Sequence, residues 1–174
     1  MFGTGAVGMS ALMAAKAMGA GRIVAIDRVE SRLELARELG ATDTIDTSKQ
    51  DLAKALEELG GVDHAIDTSG VPKLIAAAVA ALKERGTCVL LGASKEQELT
   101  LNILPLISGR VIRGVVNGDC DPTLLIPKLV DMYLEGTFPI DKLSAFYSLE
   151  DINQAVADSN SGKTIKPILR LASA

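Results

Sequence analysis

Apolar residues along the chain follow two alternating periods. Residues 6–18 form a run of small and aliphatic side chains of helical length, stopped by Gly19-Ala20-Gly21 and followed by a short apolar stretch, 22–26, that closes on Asp27. A second helix is predicted over 29–39, with Leu33, Ala36 and Leu39 at helical spacing and Gly40 placed to cap it. A strand over 43–45 follows. Ser48 with Asp51 three residues on then reads as a capping box opening a helix over 51–59, ended by Gly60-Gly61.

The alternation repeats in a strand over 62–66, a helix over 72–82 with Pro72 in its first turn, and strands over 87–91 and 111–116. Strands separated again and again by helices predict an α/β fold: a doubly wound parallel sheet with helices on both faces. Between Ala93 and Arg110 the pattern lapses. Leu104-Pro105-Leu106-Ile107 is an apolar run on a connection, a contact for a second subunit or a loop tucked onto its own core.

From Gly118 the character changes, so the chain divides into 1–117 and 118–174. An amphipathic helix is expected up to Glu135, with Leu125, Leu129, Met132 and Tyr133 inward and Pro127 bending it or marking its true first turn. Ser148 and Asp151 form a second capping box, opening a helix to about Asp158 with Ile152, Ala155 and Val156 inward. The tail over 164–171 is β-rich in residue type.

Composition narrows the function classes. Hydrophobic residues make up 48% of the 174 and aromatics 3%, so the core is built from Ala, Val, Ile and Leu, as in a covered parallel sheet. A net charge of −4 argues against a nucleic-acid surface, and no apolar run reaches the ~18 residues of a membrane span. Cys88 falls in an apolar strand and Cys120 in a polar loop, with no C-x-x-C pair; with the lone His64 inside a strand, they assemble no metal cluster at usual spacings. Unpaired cysteines and the lack of a signal peptide point to the cytoplasm.

The candidate chemistry lies at the front. Gly3-Thr4-Gly5-Ala6-Val7-Gly8 has the G-x-G-x-x-G spacing, it opens a helix, and a strand then delivers Asp27 nineteen residues after Gly8. Gly3 permits the tight turn, Gly5 the close approach of a pyrophosphate and Gly8 the close packing of the helix, whose N-terminal N–H groups face the phosphates. The Asp27 carboxylate falls where the adenosine ribose hydroxyls would donate, and its charge would repel a 2′-phosphate, so the dinucleotide is NAD rather than NADP. Arg28 softens that preference or is a solvated loop charge. The ligand of such a sheet lies beyond the carboxyl ends of its strands, where Thr68-Ser69-Gly70, Leu91-Gly92-Ala93 and Val115-Val116-Asn117 emerge. These turns line a nicotinamide riboside or are ordinary strand ends.

Taken together, the glycine turn, Ile26-Asp27-Arg28 with Arg32, Gly40-Ala41-Thr42, Gly92 after a strand and Ser161-Gly162-Lys163-Thr164-Ile165-Lys166 resemble the zinc-type, medium-chain alcohol dehydrogenase superfamily over nearly the whole chain. Ile112-Arg113-Gly114, Phe138-Pro139 and Asp151-Ile152-Asn153-Gln154-Ala155 are similar to its aryl- or benzyl-alcohol dehydrogenase branch. The resemblance implies a Rossmann-type fold and hydride transfer between NAD and an alcohol or aldehyde. By it, Gly3, Gly5 and Gly8 cradle the pyrophosphate and Asp27 and Arg32 hold the adenosine ribose; Ala6 and Val7 of the same turn and Arg28 are counted among the candidate cofactor-binding residues. Thr68, Ser69, Leu91, Gly92, Ala93, Val115 and Val116 surround the nicotinamide half, and Lys166 reaches a phosphate or ribose. In this family a separate amino-terminal domain supplies the catalytic zinc. No catalytic or metal-ligating residue is therefore expected here, and residues 118–174 either pack on the first part or belong with that other domain.

The first strand should carry ~5 residues, but only Met1 and Phe2 precede Gly3, so a gap between the halves of the sheet and a truncated chain or mis-set start are expected. A homodimer or higher homo-oligomer is expected as well. The alternative function is a stand-alone NAD-binding sensor or interaction module without catalysis. A methyltransferase-like sheet, which shares a glycine-rich first turn, is disfavoured by the tail.

Overall fold

The computed structural model describes residues 1–93, 95–96 and 98–171. Its first part alternates α1 (Ala6–Ala17), β1 (Val24–Asp27), α2 (Glu30–Leu39), β2 (Asp43–Asp46), α3 (Leu52–Glu58), β3 (Val62–Asp67), α4 (Pro72–Ala80), β4 (Leu82–Leu90), α5 (Leu104–Ile107) and β5 (Val111–Gly114). Every strand pairing is parallel. The fold class is the doubly wound α/β arrangement that the alternation predicts.

The expected gap is bridged. Phe2 pairs in parallel with both Ile26 and Asp67, and three residues therefore join β1 to β3. Phe2 donates its N–H to Ile66 O at 2.8 Å, Ile26 donates to Met1 O at 2.9 Å, and Thr68 donates to Phe2 O at 2.9 Å. The strands thus run β2, β1, the residue 1–3 segment, β3, β4, β5.

Period-2 alternation sends side chains to two cores. Phe2, Val24, Ile26, Ala65 and Cys88 face a cluster with Leu56, Ala78 and Val79 of α3 and α4. Ile23 and Ala25 face the opposite cluster, with Met9, Leu12 and Met13 of α1 and Leu33, Ala36 and Leu39 of α2. The small and branched residues of these strands let helices lie close on both faces.

Several local expectations are corrected. Asp51 is itself the cap of α3, accepting from Lys54 N at 2.9 Å, while Ser48 is drawn to Asp46 instead of capping. The fourth helix stops at Ala80, and the strand that follows starts at Leu82. In the apolar connection Leu101 and Leu106 pack onto the core, whereas Ile103, Leu104 and Ile107 are exposed, so that run serves its own core with one face only.

The remainder comprises α6 (Pro122–Leu134), β6 (Ser144–Ser148), α7 (Ile152–Ser161) and β7 (Lys166–Arg170), with β6 and β7 pairing in parallel as a separate sheet. Asp121 caps α6, accepting from Thr123 N at 2.9 Å, and Pro127 lies inside the helix. Leu129 and Met132 pack on the α1–α2 cluster beside Phe138 and Leu143, but Leu125 and Tyr133 are exposed. The amphipathic stripe is thus covered over one stretch only. In α7 Ala155 faces inward as expected, while Ile152 and Val156 are exposed. Asp158 takes the inward place, held by Tyr147 Oη at 2.9 Å, Gln154 Nε2 at 2.8 Å and Lys163 Nζ at 3.1 Å, and this polar network sets the rotation of the helix. Strand β6 carried no clear alternation and was not expected.

Candidate functional site

The front turn is built by contact distance. Gly3 has φ +87° and donates to Ile26 O at 2.9 Å, and a Cβ there would lie 2.8 Å from Thr68 Oγ1. A Cβ on Gly8 would lie 2.0 Å from Gly3 O, so the first turn of α1 can sit against the loop only because Gly8 has none. Gly5 differs from both. It is the N-cap of the twelve-residue α1, has extended backbone geometry, and a Cβ there would meet nothing within 4 Å.

The first N–H groups of α1, at Ala6, Val7 and Gly8, have no intrahelical acceptor, no side chain caps them, and no acidic residue lies in the first turn. The positive end of the helix dipole is uncompensated in front of open space. A pyrophosphate fits this arrangement: it needs N–H donors, no competing carboxylate, and the room a Cβ at Gly5 would take.

Asp27 stands at the end of β1 beside that turn. Its Oδ2 accepts from Thr4 N and from Thr4 Oγ1, both at 2.8 Å. Its Oδ1 accepts from Arg28 N at 2.7 Å and Val29 N at 3.1 Å. Burial pushes the carboxyl up, but these four donors outweigh it and hold the group below its ordinary value, so it is ionised at neutral pH. Arg28 contributes its backbone N–H while its side chain is exposed. The contribution of Thr4, fully buried under the carboxylate, was not read from the sequence. A hydroxyl residue between the two glycines, one strand away from an acid, was the available signal.

On the far side of the turn the strand ends converge. Asp67 is fully buried and accepts from Ser69 Oγ at 2.6 Å and Gly70 N at 2.9 Å. Thr68 Oγ1 donates to Phe2 O at 3.2 Å and Gly3 O at 3.1 Å. Both hydroxyls are thereby engaged within the protein, and these residues offer backbone and carbon surface. Leu91 N and Gly92 N donate to Asp67 O, and a Cβ on Gly92 would lie 2.3 Å from Gly70 N, so this loop presses on the Ser69-Gly70 turn. Val115 N reaches Leu90 O at 3.2 Å, while Ala93 and Val116 are exposed at the same strand-end edge.

Two expected members make no hydrogen bond to the turn among the described residues. Arg32 is half-buried on α2, its Nε buried without a hydrogen-bond partner, and its guanidinium lies 3.4 Å from where a Cβ on Gly162 would be. It borders a cavity of about 170 Å3 between α2 and the tail, shared with Lys142, Ser144 and Lys163. Lys166 is exposed at the start of β7, in register with Ser144, and among the described residues it makes no hydrogen bond to the glycine turn. Among the described residues no group of three His, Cys, Asp or Glu could hold a metal ion, and no helix is long and apolar enough to cross a membrane.

Residues 6–134 match the family model described as zinc-binding dehydrogenase. Geraniol dehydrogenase of Castellaniella defragrans is 37% identical, over 97% of this chain and 47% of its own length. Benzyl alcohol dehydrogenase from Acinetobacter calcoaceticus superposes with a TM-score of 0.94 at 44% identity, covering 98% of this chain and 48% of that one. An alcohol dehydrogenase zinc-binding domain protein from Burkholderia ambifaria gives 0.94 at 49% identity, over 99% and 48%. The chain spans about half the length of these relatives.

Proposed function

The chain belongs to the zinc-binding dehydrogenase family, and on that premise we propose that it is the NAD-binding portion of an alcohol dehydrogenase acting on an alcohol or aldehyde of the aryl class. The reading rests on one observation: a helix N-terminus opening at Gly5 onto free space, with an ionised carboxylate at Asp27 beside it. Bound NAD would supply the hydride acceptor. Ala6, Val7 and Gly8 would donate N–H groups to its pyrophosphate and Asp27 would accept from the adenosine ribose diol, with Arg28 and Arg32 flanking it. Thr68, Ser69, Leu91, Gly92, Ala93, Val115 and Val116 would form the wall that orients the nicotinamide, and Lys166 would add positive charge near the phosphates.

Residues 1–117 form the cofactor-binding unit of this proposal. Residues 118–174 pack on that unit through Leu129, Met132, Phe138 and Leu143, and in the whole enzyme a zinc would polarise the alcohol oxygen as a Lewis acid. A second copy of the chain is proposed to meet it along the edge strand β5, where Val111 is exposed beside Ile103, Leu104 and Ile107. Two free thiols, Cys88 and Cys120, fit a reducing compartment, the cytoplasm.

Calorimetric titration of NAD, NADP and S-adenosylmethionine into the chain tests the proposal. NAD should bind, NADP more weakly and S-adenosylmethionine not at all, with no alcohol oxidation by the chain alone. Replacing Asp27 with Ala should remove the preference between the two nicotinamide dinucleotides. A preference for S-adenosylmethionine, or a preference for NAD that survives Asp27→Ala, contradicts it.

A further inference from the structure

Thr4 is the x of the first Gly-x-Gly step, a position to which the glycine pattern itself assigns no chemistry. Its side chain is fully buried, and it gives both donors it possesses, N–H and hydroxyl, to the same carboxylate oxygen of Asp27, each at 2.8 Å. The other oxygen is held by two backbone N–H groups, of Arg28 and Val29. Four donors thus converge on the two oxygens, so the group cannot swing between rotamers without losing charge-assisted bonds, and a ribose diol would share these oxygens with them in three-centre bonds. Three of the four donors are backbone and are present whatever the residue type. The Thr4 hydroxyl is the one that sequence can remove.

We propose that Thr4 is a positioning residue for cofactor choice: from beneath, it fixes the Asp27 carboxylate in one orientation, and so sets how strongly NAD is preferred over NADP. The inference rests on the reading of Asp27 as the ribose acceptor. A fixed anion meets a ribose diol with its geometry already set, and it meets a 2′-phosphate with undiminished repulsion. Without the hydroxyl, the carboxylate gains freedom to turn away from either ligand, which narrows the difference between the two cofactors, and it takes up a proton at less acid pH. Arg28, the charged side chain nearest in sequence, is exposed on the same connection.

The test compares the unaltered chain with Thr4→Val and Thr4→Ser by titration of NAD and NADP between about pH 2 and pH 8. The ratio of the two dissociation constants should fall about tenfold in Thr4→Val, the scale of one hydrogen bond to a charged group. The acid limb of NAD binding should move to higher pH in that variant, and Thr4→Ser should restore both ratio and limb. A purely structural role would lower affinity for both dinucleotides together and leave the limb in place. An unchanged ratio and limb in a folded Thr4→Val overturns the inference alone, whereas an unaltered chain that binds neither dinucleotide overturns the cofactor reading with it. Should Thr4→Val fail to fold, Thr4→Ala takes its place with the same readouts: a lowered ratio that Thr4→Ser restores supports the inference, and an unchanged ratio overturns it.

Discussion

The glycine turn and helix α6 both face solvent with something unmet, but of opposite kinds. At the turn Thr4, Asp27, Asp67, Thr68 and Ser69 all have partners, and what stays open is a set of N–H donors at the head of α1. Along α6 the polar ends are capped, and what stays open is apolar surface at Leu124, Ile126, Val130 and Leu134. Unmet donors beside free space suit a small anion. Unmet apolar area suits contact with protein.

The comparison breaks most completely at Gly8. A Cβ there would sit 2.0 Å from Gly3 O, and because the obstacle is backbone it cannot turn aside. Gly8→Ala should cost about 3 kcal/mol, at the upper end of ordinary overpacking, and should abolish dinucleotide binding. Denaturant unfolding measures the first effect and calorimetry the second; a variant as stable as the unaltered chain contradicts the close approach.

The next effect lies on the apolar side. Ile107 is exposed while its neighbour Leu106 packs on the core, so Ile107→Asp probes an interface without disturbing the fold. If copies pair along β5 and the adjoining connection, this change should halve the mass measured by light scattering, with far-ultraviolet dichroism unaltered. An unchanged mass removes that surface from the assembly.

How much of this was legible in the residues follows the same division. Glycine spacing and an acid at the end of a strand are short-range features, and Gly3, Gly8 and Asp27 stand where that spacing put them. Thr4 was missed because its role depends on a carboxylate twenty-three positions away, visible only once β1 lies against the turn. In α7 hydrophobicity pointed Ile152 and Val156 inward, but Asp158 won the buried side by collecting donors from Tyr147, Gln154 and Lys163. A periodicity argument counts apolar positions and cannot weigh a polar network assembled from three elements. The same limit applies to Ser48, whose hydroxyl went to Asp46 at 2.6 Å rather than to the helix start.

The smallest effect is the response to acid. Bonds from Arg22 and Thr42 hold Asp43 at about 2, and bonds from Ser48 and Lys49 hold Asp46 at about 2. Carboxyls lowered on folding stabilise the native state above their unfolded value near ~4, and that contribution is lost as pH falls toward the folded value. Melting temperature should therefore drop between about pH 4 and pH 2, and the drop should be shallower in Asp46→Asn. An identical profile in that variant removes Asp46 from the acid response.

Gly5→Ala tests the central claim most directly, because the added methyl would meet nothing within 4 Å beyond its own chain neighbours and would enter the space assigned to the pyrophosphate. The variant should stay folded, with only the small loss of stability that Ala at a helix N-cap brings, and should bind NAD at least about tenfold more weakly, a difference of ~1.4 kcal/mol or more. Undiminished NAD binding in a normally folded Gly5→Ala would contradict the account.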